Sequence, residues 1–148
     1  MTEQELKAFT RVVTQYFQSV TDIPAQLGVP FVKTDKQEAF DYTGVIGISG
    51  SRRGGVYLTA SRELLSEFAS AILGDDVQDE EALYDMVGEM TNTISGNMRE
   101  IFGSSFLISV PIIMKGRIDD IVMRLKPPVF IIPIFWNSRQ CQLAIGLE

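Results

Sequence analysis

Four residues in the middle of the chain, Asp85, Glu89, Asn92 and Gly96, recur at the spacing of an α-helix. A helix turns about 100° per residue, so steps of four, three and four residues place them within roughly 60° of one another. One helix face would therefore present two carboxylates, an amide and a bare backbone in a row. An amide can both donate and accept hydrogen bonds, and a carboxylate accepts them or pairs with a cation. This row is the candidate site.

The residue types missing from the chain narrow the chemistry further. The sequence contains no histidine, which excludes Ser-His-Asp and Cys-His nucleophile systems and the usual zinc sites. Its one cysteine, Cys141, cannot form an internal disulfide, as is typical of a reducing compartment. Carboxylates, amides and hydroxyls must carry any catalysis, unless a partner supplies the reactive group.

The predicted helix needs an apolar face to hold the polar row outward. That face consists of Leu83, Met86, Val87, Met90, Ile94, Met98 and Ile101. The pattern predicts a helix over about 79–102, ended by Gly103. The simplest interpretation of the polar row is a solvated surface. Against it stand Gly88 and Gly96, each of which costs about 1 kcal/mol relative to alanine within a helix and permits the close approach of another body.

The elements around this helix predict an α+β fold, with helices packed on a mainly antiparallel sheet in the order αββααβββ. We expect one domain over residues 1–148. The predicted elements are a helix over 6–20, strands over 42–49 and 55–60, a helix over 61–73, the helix over 79–102, a strand over 106–114, and a hairpin of 129–136 with 140–147. Segment 29–40 is ambiguous, with an edge strand as one option, and 118–126 is left open.

The segment 85–92, Asp-Met-Val-Gly-Glu-Met-Thr-Asn, resembles the Asp/Ser-x-x-x-Glu-x-x-Asn signature of the CheC and CheX chemotaxis phosphatases. It continues through 92–97 like the Asn-x-Ile-x-Gly-Asn segment of that family, and Pro111 matches a downstream proline. Residues 43–50 and 54–58 are similar to the family's strand, glycine turn and strand. The resemblance spans roughly residues 6–147, and the single Glu/Asn motif is similar to that of CheX-like, single-site members.

The resemblance implies a CheC-like fold and a phosphatase that hydrolyses the aspartyl phosphate of a CheY-like response regulator. In that mechanism Asn92 positions the attacking water and Glu89 bridges to a lysine of the receiver. Asp85 and Gly96 border the site as partner contacts. The chain itself needs no cofactor, because Mg²⁺, the phosphoryl group and the lysine all belong to the receiver.

Two other functions remain open on the sequence. The first is a non-catalytic CheX-like module that docks a receiver or a flagellar or chemotaxis partner without hydrolysis. The second is a structural dimer whose polar helix face does nothing. The apolar segment 129–136 is most simply a core strand. It contains Pro133, however, which favours an edge or bulge. A second subunit could cover such an edge, so a homodimer is also expected for the phosphatase. CheX-type proteins are typically dimers.

Charge and hydropathy disfavour two classes of partner, nucleic acids and membranes. The net charge is −6 and the basic residues are scattered, which disfavours nucleic-acid binding. No segment approaches the roughly 20 apolar residues that cross a bilayer, so we predict no membrane insertion and a cytoplasmic location. The segment 50–55, Gly-Ser-Arg-Arg-Gly-Gly, invites interpretation as a phosphate-binding loop. It lacks the lysine-serine ending and precedes a strand, so we predict a hairpin turn.

Overall fold

The computed structural model describes residues 1–34, 39–116 and 125–148. It contains helices on a sheet, as predicted for the α+β class. The elements in chain order are α1 (Glu3–Thr21), β1 (Gln26–Leu27), β2 (Phe31–Val32), β3 (Tyr42–Gly50), β4 (Gly54–Ala60), α2 (Arg62–Leu73), α3 (Glu80–Asn97), α4 (Arg99–Phe102), β5 (Phe106–Ile108), β6 (Ile112–Lys115), β7 (Phe130–Trp136) and β8 (Arg139–Leu147).

The sheet is built on four long strands with short strands along both margins. Its order is β1-β7-β8-β4-β3-β5, with β2 also paired to β7 and β6 also paired to β3. Each pairing among the described residues is antiparallel. The predicted fold class is confirmed, while the order αββααβββ omitted the short elements β1, β2 and α4.

The helices begin where side chains satisfy their first backbone N–H groups. Thr2 and Glu5 form a reciprocal capping box at α1, and Ser61 accepts from the Leu64 N–H at α2. Asp79 caps α3 by accepting from the Ala82 N–H. At its C-terminus α2 closes on Gly74, whose φ of 80° lies in the left-handed region.

The core lies between the helices and one face of the sheet. Six apolar side chains of α1 are buried at steps of three and four residues: Ala8, Phe9, Val12, Val13, Tyr16 and Phe17. The ring of Phe17 contacts Phe68 of α2 edge-on at 5.4 Å between centroids and Trp136 of β7 at 6.1 Å. Each aromatic ring buries a large apolar area, so this cluster fixes α1 and α2 on the sheet.

The long helix predicted over 79–102 is interrupted at Met98. There the backbone N–H bonds to Ser95 O at 3.2 Å, a three-residue step, and the four-residue helix α4 follows. The change in hydrogen-bond spacing rotates the side chains that follow. Ile101 is therefore 41% exposed, against the prediction of a core position, and Phe102 stacks on Phe106 instead.

The single strand predicted over 106–114 is divided by a β-bulge. β5 pairs with β3 up to Ile48 and β6 resumes at Val45, so residues 109–111 lie opposite residues 46–47 alone. The Ser109 N–H donates to Gly47 O, and the Ser109 hydroxyl accepts from the Gly47 N–H, both at 2.9 Å. The Ser109 hydroxyl thus accepts from the Gly47 N–H in place of the backbone carbonyl that a regular ladder would supply there.

The apolar strand β7 is paired on both sides, which agrees with the interpretation as a core strand and not with the edge that Pro133 favours. β8 lies along one side, and β1 and β2 lie along the other. Pro133 falls in the gap between the pairs made by Ile134 with β1 and by Ile131 with β2, so its missing N–H breaks no ladder bond. Of the ambiguous segment 29–40, residues 31–32 form β2 and 35–38 lie outside the described residues. Most of 118–126 lies outside them too.

Candidate functional site

The predicted polar row lies on the outer side of α3. Asp85 and Glu89 are exposed and Asn92 is half-buried, while the apolar face of the helix packs on the sheet. The three side chains form one wall of an open groove of about 630 Å³. The groove is lined by Asp85, Gly88, Glu89, Asn92, Ile108, Ser109, Val110, Pro111 and Ile113. Helix geometry alone brings the carboxylates and the amide to one wall, and the bulge between β5 and β6 forms the other.

Gly96 lies one turn beyond Asn92 and is not among the residues that line this groove. It is half-buried, and a Cβ placed on it would meet Ile108 Cδ1 at 3.8 Å, an ordinary contact distance. The structure therefore brings together three of the four predicted site residues and leaves Gly96 at the margin.

The groove is closed at its base by tight contact between α3 and the sheet. A Cβ on Gly88 would lie 2.8 Å from Ile113 Cδ1 of β6. A Cβ on Gly44 of β3 would lie 2.3 Å from the Thr91 Oγ1 of α3. The body that approaches Gly88 is thus this chain's own sheet, and the two glycines set how deeply the helix is seated.

The bulge supplies residues that the sequence prediction missed. Val110 at its centre is 83% exposed, and its neighbours Leu107 and Ile112 are 49% and 66% exposed. A proline within an apolar strand was the available signal, because Pro111 cannot donate to a ladder and favours a bulge. In the sequence, Pro111 served only to match the family's downstream proline, and its place in a groove wall was not predicted.

The Glu89 carboxylate stands between the groove and helix α1. Its Oε1 accepts a hydrogen bond from the Thr93 hydroxyl at 3.2 Å. Burial raises the pKa of Tyr16 on α1, and the negative charge of Glu89 raises that pKa further. Tyr16 therefore stays neutral at physiological pH, and a carboxylate lies close enough to influence it.

Comparison with known proteins assigns the chain to a family. Residues 42–134 match the family model described as chemotaxis phosphatase CheX. The chain belongs to the CheX family. This confirms the resemblance found in the sequence, and the matched segment contains α3 and both walls of the groove.

Solved structures of CheX proteins share the fold across nearly the whole chain. Chemotaxis protein CheX of Desulfovibrio desulfuricans is 29% identical with a TM-score of 0.83, over 98% of this chain and 99% of that one. CheX of Vibrio vulnificus is 24% identical with a TM-score of 0.86, over 98% and 99%. CheX in a CheX–CheY–BeF3–Mg²⁺ complex from Borrelia burgdorferi is 18% identical with a TM-score of 0.73, over 97% of each chain. No curated protein resembles the chain closely enough in sequence to count as a match.

In this CheX-family chain an ionic cluster joins the start of α3 to both strands beneath it. Glu80 accepts from the Tyr42 hydroxyl at 3.2 Å and forms a salt bridge with Lys115 of β6. The bonds from Lys115 and Tyr42 lower the pKa of Glu80, and Glu80 raises the pKa of Lys115. The cluster ties the helix wall to β6, which carries part of the opposite wall.

Two further observations concern metals and membranes. Among the described residues, no group of three or more acidic or cysteine side chains is arranged to hold a metal ion. Within the same ranges, no helix is both long enough and apolar enough to cross a membrane.

Proposed function

We propose that this chain is a phosphatase that hydrolyses the aspartyl phosphate of a CheY-like receiver domain. One observation carries the proposal: a carboxylate and an amide one helical turn apart, Glu89 and Asn92, share the wall of an open groove. Membership of the chemotaxis phosphatase CheX family supports it. An open groove suits the convex surface of a protein substrate better than a small molecule, which enclosed pockets bury more fully.

The proposed reaction needs little from this chain beyond placing a water. An aspartyl phosphate is an acyl phosphate, and its hydrolysis requires a water in line with the leaving carboxylate. The water oxygen attacks phosphorus and the bond from phosphorus to the aspartate oxygen breaks, which gives inorganic phosphate and a free carboxylate. The amide of Asn92 accepts a hydrogen bond from the water through its oxygen, or donates one through its nitrogen.

Glu89 and Asp85 are proposed to set the docked position. Glu89 would pair with the receiver's active-site lysine, a charge-assisted contact that fixes the distance between Asn92 and the phosphoryl group. Asp85, one turn earlier on the same wall, would contact the receiver at the edge of the site. The Mg²⁺ ion is expected on the receiver. The CheX–CheY complex from Borrelia burgdorferi supports a CheY-like partner for this chain too.

The test compares Asn92→Ala with a matched control on the same helix, Asn97→Ala, which is exposed and does not line the groove. The decay of a phosphorylated receiver from the same organism is followed with each protein. Wild type should accelerate the decay, Asn97→Ala should retain the acceleration, and Asn92→Ala should lose it by about 100-fold, as when one positioned hydrogen-bonding group is removed. Receiver binding by Asn92→Ala should persist.

Failure of wild type to accelerate decay with any receiver of the organism would contradict the proposal. If wild type still bound a receiver, the non-catalytic docking module would replace it. If binding were absent as well, the structural dimer would remain, and substitutions at Glu89 and Asn92 would change no rate.

We also propose that the chain forms a homodimer in the cytoplasm, through the β1–β2 margin of the sheet. Val29, Phe31 and Val32 are 85%, 40% and 44% exposed there, an apolar surface beside strands whose outer edges pair with no other strand among the described residues. The opposite margin carries the groove and would face the receiver. Sedimentation equilibrium should give twice the chain mass for wild type and the single mass for Phe31→Asp. A wild-type monomer at micromolar concentration would contradict this.

A further inference from the structure

Glu89 lines one depression of the molecule, and its hydrogen-bond partner Thr93 lines a second. One is the groove with Asn92, and the other, of about 240 Å³, runs between α1 and α3 and is lined in part by Tyr16 and Thr93. An unrestrained glutamate at this position could turn toward the groove or away from it, since its side chain has three rotatable bonds. Only orientations that reach the partner over the groove serve the proposed contact with the receiver.

The hydrogen bond from Thr93 restricts that freedom, and it is unusual among the helical threonines of this chain. The hydroxyls of Thr10, Thr14, Thr21 and Thr91 all donate to backbone carbonyls three or four residues earlier. Thr93 instead donates to the side chain of Glu89, at 3.2 Å. Back-bonding is the common choice for a helical threonine, so the Thr93 hydroxyl is engaged by the carboxylate in preference to its own backbone.

We propose that Thr93 is a positioning residue that preorganises Glu89 for the partner's lysine, an inference that rests on the proposed function. The hydroxyl holds Oε1, while Oε2 has no partner among the described residues and can accept from an incoming ammonium. Ordering a glutamate before docking reduces the side-chain entropy that docking would otherwise cost, and so strengthens binding without touching the reacting atoms. Thr93 should therefore act on receiver affinity and not on the hydrolysis step.

The experiment replaces the hydroxyl by a methyl group of similar shape in Thr93→Val and restores it in Thr93→Ser. Thr14→Val is the control, an exposed threonine of α1 whose hydroxyl bonds to Thr10 O. For Thr93→Val we expect KM for the phosphorylated receiver to rise about three- to ten-fold with kcat unchanged. Thr93→Ser should recover most of the affinity, and Thr14→Val should match wild type in both parameters.

A double-mutant cycle with Glu89→Gln separates positioning from a general effect on the helix. If Thr93 acts through the Glu89 charge, Thr93→Val should add little to the loss already caused by Glu89→Gln. An equal loss in both backgrounds, a fall in kcat at constant KM, or wild-type affinity in Thr93→Val would each overturn the inference.

The readouts distinguish this inference from the proposed function. Receiver binding is measured by titration alongside catalysis. Acceleration by wild type with no effect of Thr93→Val would reject the role of Thr93 alone. Binding weakened by Thr93→Val but not accompanied by hydrolysis in wild type would reject the phosphatase and keep the positioning role. Absence of receiver binding in wild type would reject both.

Discussion

The two sides of α3 differ in how tightly the rest of the molecule packs against them. On the inner side Gly88, Thr91 and Ser95 are buried against the sheet, and even one methyl group added on the facing strand at Gly44 meets atoms at 2.3 Å. On the outer side Glu89 is exposed and Asn92 half-buried. Packing therefore dictates residue size on the inner side, whereas the outer residues are free to be chosen for chemistry.

Gly44→Ala tests the inner side and should give the largest effect. The new Cβ would lie 2.3 Å from Thr91 Oγ1 and 3.1 Å from Val87 O, a backbone atom that cannot move away alone. We expect the free energy of unfolding to fall by about 2–3 kcal/mol, as for other overpacked cores. Urea denaturation measures it.

Gly47→Ala on the same strand is the matched control for that change. Its Cβ would meet nothing closer than Ser109 Oγ at 3.7 Å, so stability should stay within about 0.5 kcal/mol of wild type. Equal losses at the two positions would show that strand glycines matter for backbone reasons and not for the seating of α3. Adding Thr91→Ala to Gly44→Ala should recover part of the loss.

Ser95→Ala should have an intermediate effect of the opposite sign. The Ser95 hydroxyl is buried and has no hydrogen-bond partner among the described residues. Its removal relieves a desolvated donor and improves helix propensity, so the free energy of unfolding should rise by about 1 kcal/mol. Thermal denaturation checks this.

The same substitution at Ser66 is the control, since that buried hydroxyl donates to Val77 O and accepts from Gln78 Nε2. Ser66→Ala should lower stability by about 1–2 kcal/mol. If Ser95→Ala lowered the free energy of unfolding as much as Ser66→Ala, the Ser95 hydroxyl would have an important hydrogen-bond partner in solution. The inner side of α3 would then select for a polar group as well as for residue size.

Asn92→Ala tests the outer side and should have the smallest effect on stability. The Asn92 side chain makes no hydrogen bond among the described residues, and alanine is the better helix former. The free energy of unfolding should therefore be unchanged or raised by up to about 0.7 kcal/mol. The Asn92→Ala protein prepared for the phosphatase assay serves for the measurement. A clear loss of stability would remove the contrast between the two sides of the helix.

The sequence predicted the outer side of α3 well because helix geometry is local. The spacing of Asp85, Glu89 and Asn92 determines that they share one face, and the apolar stripe determines that this face points outward. The same reasoning predicted the burial of Leu83 and Ile94, and the structure confirms it. The prediction of a buried Ile101 was wrong. The backbone hydrogen bonds shorten to a three-residue step at Met98, and the pattern of apolar residues does not reveal that change.

The other wall of the groove could not be predicted in the same way. The bulge at 109–111 exists because two segments pair with β3 in registers that differ by one residue, and register depends on both strands. For the same reason the sequence did not decide between a core strand and an edge for β7: its neighbours β1 and β2 have only two residues each, too few to leave a periodic signal.

The sequence by itself determined which side chains stand together on one helix, and through its motifs it indicated the CheX family. Those properties depend on spacing along a single segment. Tertiary structure alone decided what faces that helix: the bulge at Val110, the glycines that seat α3 on β3 and β6, and the nearness of Glu89 to Tyr16 of α1. These are contacts between segments far apart in the sequence. They depend on how whole elements pack, so the pattern within one segment does not determine them.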